Sequence, residues 1–334
     1  MVGADGVLPL PWLGAALDAI SRESRGHALL LHGPRGVGQF DLAVVLAQAW
    51  LCEARDPADA RPCGRCASCK LMLAHSHPDL MVLLPEVLRE PLGWTTGDDD
   101  EPADAESRRK PSREIKVDAV RAAVAFSQRT SSRGGSKVVV IHPADAMNPI
   151  AANTLLKTLE EPPPAVRFVL CCAAPGDLLP TIRSRCQPWR MAPPERSTAA
   201  AWLASQGVSD APTLLAATGD EPLTALQWAR DGIDAKTLRS LADCVRRGDA
   251  SALAKWPVPR VVEALMKLAH DCARVGAGAA PRFFDASGLR LPRDASALGD
   301  WLRELARVQR HVDHPWHAPL VIETLVTQGR RALS

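Results

Sequence analysis

His27-Ala28-Leu29-Leu30-Leu31-His32, then Gly33-Pro34-Arg35-Gly36-Val37-Gly38, then Asp41 to Trp50 read in succession as a short apolar strand, a glycine-rich turn and a helix. A buried strand that turns through glycines into a helix is the opening unit of a P-loop fold. A working P-loop reads G-x-x-x-x-G-K-[ST]: backbone N–H groups cradle phosphate, the lysine neutralises it and the hydroxyl holds Mg²⁺. Here Gly33, Gly36 and Gly38 keep the frame, but Gln39 stands at the lysine position and Phe40 at the hydroxyl position. Gln39 carries no charge and Phe40 cannot bind a metal. The helix N-terminus still offers free N–H groups to an anion, while a plain strand-to-helix turn would need much the same glycines.

Working outward, Leu80 to Leu84 is a second strand candidate. It is followed by a charged, proline-rich stretch, 86–113, read as a mobile surface insertion without function. Ile115 to Arg129 has no breakers and reads as a helix. Lys137 to Ile141 (KVVVI) is the clearest strand, its β-branched run suited to a position covered on both faces. Asn153 to Glu161 is a helix stopped by Pro162-Pro163-Pro164. Phe168 to Cys172 is a strand, Asp177 to Ser184 a short helix and Cys186 to Met191 a last strand. This alternation predicts a mostly parallel sheet with helices on both faces. Beyond Pro193-Pro194 only helical patterns separated by Gly and Pro remain, so the C-terminal part is expected to be all-α.

The chain has 334 residues, enough for two or three domains. Its 46% hydrophobic and 23% charged residues argue against wholesale disorder. Forty basic residues against 38 acidic ones leave a net charge of +2, so no global field draws the chain to nucleic acid or an anionic membrane. No apolar stretch approaches a membrane span, and the N-terminus lacks the pattern of a secretory signal. The expected location is cytoplasmic.

Four of the nine cysteines cluster: Cys52, Cys63, Cys66 and Cys69, spaced C-x10-C-x2-C-x2-C. In a reducing compartment such a set reads as metal ligands. Four thiolates suit tetrahedral zinc and leave no position for a reacting water, so the zinc is expected to be structural. His75 or His77 could stand in for one thiolate, although solvated loop histidines are the plainer reading. Cys171, Cys172, Cys186, Cys244 and Cys272 have no ligand spacing and are expected to be buried or inert.

P-loop ATPases carry an acidic pair at the end of a β-branched strand, to hold Mg²⁺ and polarise the attacking water. After KVVVI this chain has His142-Pro143 instead. Asp118 and Asp145 are the nearby carboxylates, and Asp145 lies too far beyond the strand end to replace the pair. Thr181-Ile182-Arg183-Ser184-Arg185-Cys186 places arginines where a helix ends; alone they would be partners of the helix dipole. His311, His314 and His317 are spaced i, i+3, i+6, but Pro315 and Pro319 interrupt any regular metal-binding face. This segment instead introduces a last helix, Ala318 to Arg330, with Leu320, Ile322, Leu325 and Val326 as its apolar face.

NTLLKTLEEPP (Asn153 to Pro163), LLPTIRSRC (Leu178 to Cys186) and the four-cysteine insert together resemble the bacterial clamp-loader subunits of the AAA+ family, over about residues 7–195. Within that family gamma/tau has an intact lysine and Asp-Glu pair, and delta prime has lost them but keeps Ser184-Arg185-Cys186. Gln39, Phe40, His142 and Pro143 align this chain with the delta prime branch. Cys172 and Ala173 stand where active relatives carry a sensor threonine, and the lid's arginine sensor is not evident near Gly219-Asp220-Glu221-Pro222-Leu223.

The resemblance implies a RecA-like AAA+ domain over 1–193 with a zinc module at about 50–75, a small helical lid over 194–235 and an all-α collar over 236–334. It further implies a DNA polymerase III clamp loader containing delta and gamma/tau subunits, which places the sliding clamp on primed DNA. In it Arg185, with Ser184 and Cys186, would act on ATP bound by the adjacent gamma/tau subunit, and this chain would hydrolyse none itself. Two other readings stand beside this one. The chain could be an active ATPase in which Arg35 replaces the lysine, or the zinc module could be a DNA-binding finger, although Arg61, Arg65 and Lys70 come with no aromatic platform.

Overall fold

The computed structural model describes residues 1–24, 26–54, 61–94, 110–289, 294–311, 314 and 316–333. The chain divides into two compact units, Met1–Pro193 and Pro194–Ser334.

The first unit is built on five strands: β1 Ala28–His32, β2 Leu80–Leu83, β3 Lys137–Ile141, β4 Val166–Cys172 and β5 Gln187–Arg190. They lie in the order β2-β3-β4-β1-β5, and every pairing is parallel. Helix α1 Leu13–Glu23 precedes β1; parallel neighbours need crossovers, and the later helices supply them: α2 Gln39–Leu51, α3 Ala67–Leu73, α4 Glu86–Arg89, α5 Val117–Gln128, α6 Pro149–Glu160 and α7 Pro180–Arg183. Along the central strands alternate side chains face opposite ways. Leu30, Val139, Ile141, Phe168 and Leu170 share a core with Val120 and Ala123 of α5 and Leu155 and Leu159 of α6. On the other face α2 lies against β1, β3 and β4. Both faces are therefore covered, and all five residues of β3 are buried, as its unbroken β-branched run predicts.

Several boundaries move for local reasons. The helix after the glycine turn begins at Gln39, because Gly38 adopts a left-handed conformation (φ 97°) and serves as the N-cap. The helix of the NTLLKTLEE stretch begins at Pro149, four residues earlier than expected. There Asn148 Oδ1 accepts the Ala151 N–H at 2.9 Å and proline takes the first helical position. The short helix expected over 177–184 is instead a 3₁₀ turn at Pro175–Asp177 followed by one turn at Pro180–Arg183. Of the stretch read as an insertion, 95–109 lies outside the described residues. Its beginning is ordered by contacts: Glu86 accepts the Ser112 N–H at 2.7 Å and pairs with Lys116.

The second unit holds α8 Arg196–Ser205, α9 Ala211–Thr218, α10 Pro222–Arg230, α11 Ala235–Arg247, α12 Val258–Gly276, α13 Ala295–Arg310 and α14 Ala318–Leu333. Among its described residues there is no strand, as expected. One hydrophobic core runs from Ala199 to Leu333 and contains Trp228, Trp256 and Trp301. Trp301 donates its indole N–H to the Leu325 carbonyl at 2.9 Å, which fastens α13 to α14 without leaving a buried donor unpaired. Ile322, Leu325 and Val326 form the expected apolar face of α14, but Leu320 is exposed. No helix among the described residues is long and apolar enough to cross a membrane.

Candidate functional site: a filled P-loop, a cysteine cage and an edge arginine

The glycine turn is held by close backbone approach. A Cβ at Gly33 would lie 2.2 Å from the Met191 carbonyl oxygen, so only glycine lets β1 and the end of β5 continue side by side. The buried Gln39 side chain turns back into the loop and donates to the carbonyls of Gly33 (2.8 Å) and Pro34 (2.6 Å). The position that would reach towards phosphate thus tightens its own turn. Arg35, the possible substitute cation, is exposed.

Phe40 is buried, and its ring meets two others. The His142 ring lies 5.1 Å away, tilted, and the Trp94 indole 6.2 Å away, edge-on. Trp94 in turn stacks on His75 at 4.1 Å. Phe40, where a P-loop carries its hydroxyl, and His142, the first residue after β3, are therefore rings packed on one another, with a tryptophan from the supposed insertion completing the cluster. Trp94 shows that the beginning of that stretch packs onto the first unit through its ring. An isolated tryptophan in a polar stretch was the available signal. Asp118 is exposed and paired with Arg121, and Asp145 lies in a 3₁₀ turn after β3.

Burial pushes the His142 imidazole down to about 4, and its Nδ1 is buried without a hydrogen-bond partner. A folded-state value below the ordinary one of about 6.5 means that the unfolded chain takes the proton first. Its stability contribution is complete above that ordinary value and is lost as pH falls towards 4. Between pH 7 and pH 5 the loss should reach about 2 kcal/mol. His142→Phe keeps the ring packing and removes the proton. Denaturant melts of the two proteins should diverge below pH 6.5, with the variant the less acid-sensitive.

The cysteine cage forms where α2 ends and α3 begins. Cys52 follows the last residue of α2, Cys66 is the N-cap of α3 and Cys69 lies in its first turn. All four sulfurs, with Cys63, lie within 4.8 Å of one another, and Cys52 and Cys66 are 4.0 Å apart. Zinc–sulfur bonds of about 2.3 Å in a tetrahedron place sulfurs about 3.8 Å apart, so the set fits a zinc ion. Backbone N–H groups also point at the sulfurs, Cys63 to Cys52 at 3.5 Å and Cys69 to Cys66 at 3.4 Å. Such donors favour the thiolate form. Among the described residues this is the one group that could hold a metal through three or more side chains. His311, His314 and His317 do not form another.

His77 is no solvated loop residue. It is buried, its Nδ1 accepts the Asp79 N–H at 3.0 Å, and its Nε2 therefore donates to the Ser68 hydroxyl at 2.8 Å. Ser68 donates its own hydroxyl proton to the carbonyl of Leu51, the residue before Cys52, at 2.5 Å. Asp79 accepts from Ser131 Oγ, Ser132 N–H and Arg133 N–H at 2.8–3.1 Å, and Arg133 pairs with Glu53 at 2.6 Å. The chain of bonds starts and ends beside Cys52. His77 thus supports the cage from outside it, and His75 is occupied by Trp94.

Arg185 follows α7. Its Nη1 donates to the Thr181 carbonyl at 2.8 Å and lies 3.3 Å from the Ser184 hydroxyl, while Nη2 pairs with Glu160 at the end of α6. The Arg185 side chain is 30% exposed. The neighbouring Cys186 is buried, as are Cys171, Cys172, Cys244 and Cys272. Burial pushes the thiols of Cys172 and Cys186 up to about 12, which leaves them protonated and inert at neutral pH.

The family described as "DNA polymerase III, delta subunit" matches residues 16–195, more than half of the chain. The chain belongs to this family. It is 38% identical over 229 residues to DNA polymerase III subunit delta' of Pseudomonas aeruginosa, covering 67% of this chain and 62% of that protein. With the Escherichia coli subunit delta' it shares 36% identity over 211 residues, 62% of this chain and 56% of that one. The chain therefore spans about three fifths of the length of these relatives. DNA polymerase III subunit tau of Escherichia coli is more distant, 33% identical over 56% of this chain and 24% of its own. The matched region contains the glycine turn, the cysteine cage and Arg185, and the family affiliation agrees with the resemblance carried by the sequence motifs.

Proposed function

We propose that this chain is a non-hydrolysing, delta prime-type subunit of a DNA polymerase III clamp loader, and that Arg185 reaches ATP held by an adjacent gamma/tau subunit. The observation that carries the first half is the filled P-loop: Gln39 is committed to loop carbonyls, and Phe40 and His142 pack together where Mg²⁺ ligands would stand. A site of this kind offers neither the charge nor the metal that phosphoryl transfer needs. The second half is supported by the partly exposed Arg185 side chain after α7, within the Ser184-Arg185-Cys186 motif. A planar fork at a subunit edge is suited to a neighbour's γ-phosphate, where it stabilises charge that grows in the transition state.

The remaining assignments follow from the same reading. Cys52, Cys63, Cys66 and Cys69 hold a structural zinc. Residues 194–235 act as the lid and 236–334 as the collar through which the subunit joins delta and gamma/tau. The sliding clamp and primed DNA are engaged through the complex. Titration calorimetry of the isolated chain with ATP and Mg²⁺ is expected to give no saturable binding. Tight Mg²⁺-dependent binding would overturn the non-hydrolysing assignment and favour an active ATPase.

A further inference from the structure

We infer that Glu160 is a latch on Arg185: its carboxylate occupies the guanidinium in the free subunit and gives it up when the phosphate of a neighbour's ATP arrives. This rests on the reading of Arg185 as a finger that acts on another subunit's nucleotide.

Three acceptors from two elements converge on this one guanidinium. Thr181 and Ser184 belong to α7 and the turn after it, and both meet Nη1. Glu160 comes from the last residue of α6, and it alone meets Nη2. The position of Glu160 is set firmly, because α6 is buried through Leu155 and Leu159 and the triple proline after Glu161 prevents the helix from continuing. Arg185 Nε is buried with no partner among the described residues, which leaves the Nη groups as the donors the fork can offer a phosphate.

The two kinds of contact differ in what they would do at an interface. Those on Nη1 orient the fork and need not break when it meets a phosphate. The contact on Nη2 is with an anion, and a phosphate competes for the same donor. Glu160 and Arg185 side chains are 48% and 30% exposed, so water screens the pair and its exchange is inexpensive. A pair of this kind contributes up to about 1 kcal/mol, equivalent to about a threefold to fivefold change in binding. That is enough to quiet the finger and too little to disable it.

The test uses the reconstituted complex with gamma/tau, delta, clamp and primed DNA, and compares steady-state ATPase with wild type, Glu160→Gln, Arg185→Ala and the double variant. Glu160→Gln keeps the shape and removes the competing charge. It should lower the half-saturating ATP concentration by about threefold to fivefold with little change in maximal rate. The double variant should match Arg185→Ala. Thermal melts of each isolated chain check that folding is intact. If Arg185→Ala slows turnover while Glu160→Gln leaves half-saturation unchanged, raises it, or lowers the maximal rate, the latch is wrong and the finger stands. If Arg185→Ala leaves turnover unchanged, the finger reading fails and the latch fails with it.

Discussion

Arg185→Ala in a reconstituted clamp loader is expected to slow ATP turnover at the facing gamma/tau site by about 10³-fold or more, the usual effect of a guanidinium supplied in trans. The variant should still assemble, because the side chain's polar partners among the described residues, Thr181, Ser184 and Glu160, all belong to its own subunit. Arg185→Lys should recover little of the loss. An ammonium carries the charge but not the planar fork, and it cannot serve Thr181 and a phosphate in the same geometry. Single-turnover hydrolysis at the facing site, with the other sites blocked, separates this effect from the background of the remaining ATPase subunits. Normal turnover in an assembled complex carrying the alanine variant would sink the proposal.

The second large effect should come from the cysteine cage. Cys69→Ser is expected to abolish zinc binding and to destabilise the first unit by more than about 4 kcal/mol, the range associated with loss of a metal. Structural zinc contributes about 10–16 kcal/mol in small zinc-dependent peptides. Here α2 has its own buried contacts to the sheet, so the damage should be concentrated over residues 52–73. Metal analysis, melting and amide exchange across α3 would check this. A metal-free protein with unchanged melting would contradict the structural assignment. His77→Ala should have a smaller effect in the same direction, because it removes the donor to Ser68 but no ligand.

The parallel sheet was legible because its strands are buried runs such as KVVVI bounded by glycine and proline, and because glycine spacing marks the strand-to-helix turn. The cage was legible because zinc ligands must be close in sequence when a short loop holds them. What escaped the sequence were partners brought together by the fold. Glu160 and Arg185 are 25 residues apart, and nothing in LEEPP announces that its first glutamate faces an arginine. Asp79 and residues 131–133 meet because β2 and β3 are neighbours in the sheet, a fact of topology. His77 looked like a solvated histidine because exposure cannot be judged from spacing alone. Trp94 stood out in its stretch, but its ring partners Phe40 and His75 come from elsewhere in the chain and spacing does not reveal them.

The ring cluster around Phe40 also constrains what positions 39 and 40 can hold. Suppose positions 39 and 40 were changed to lysine and threonine in this background. The lysine would find no acidic pair, and loss of the phenyl ring would leave unfilled volume between His142 and Trp94, which costs about 24 cal/mol per Å³ that the surroundings fail to close. Changes that would make the turn read as a working P-loop would thus weaken the packing of this unit, so the residues at 39 and 40 are tied to the rings around them.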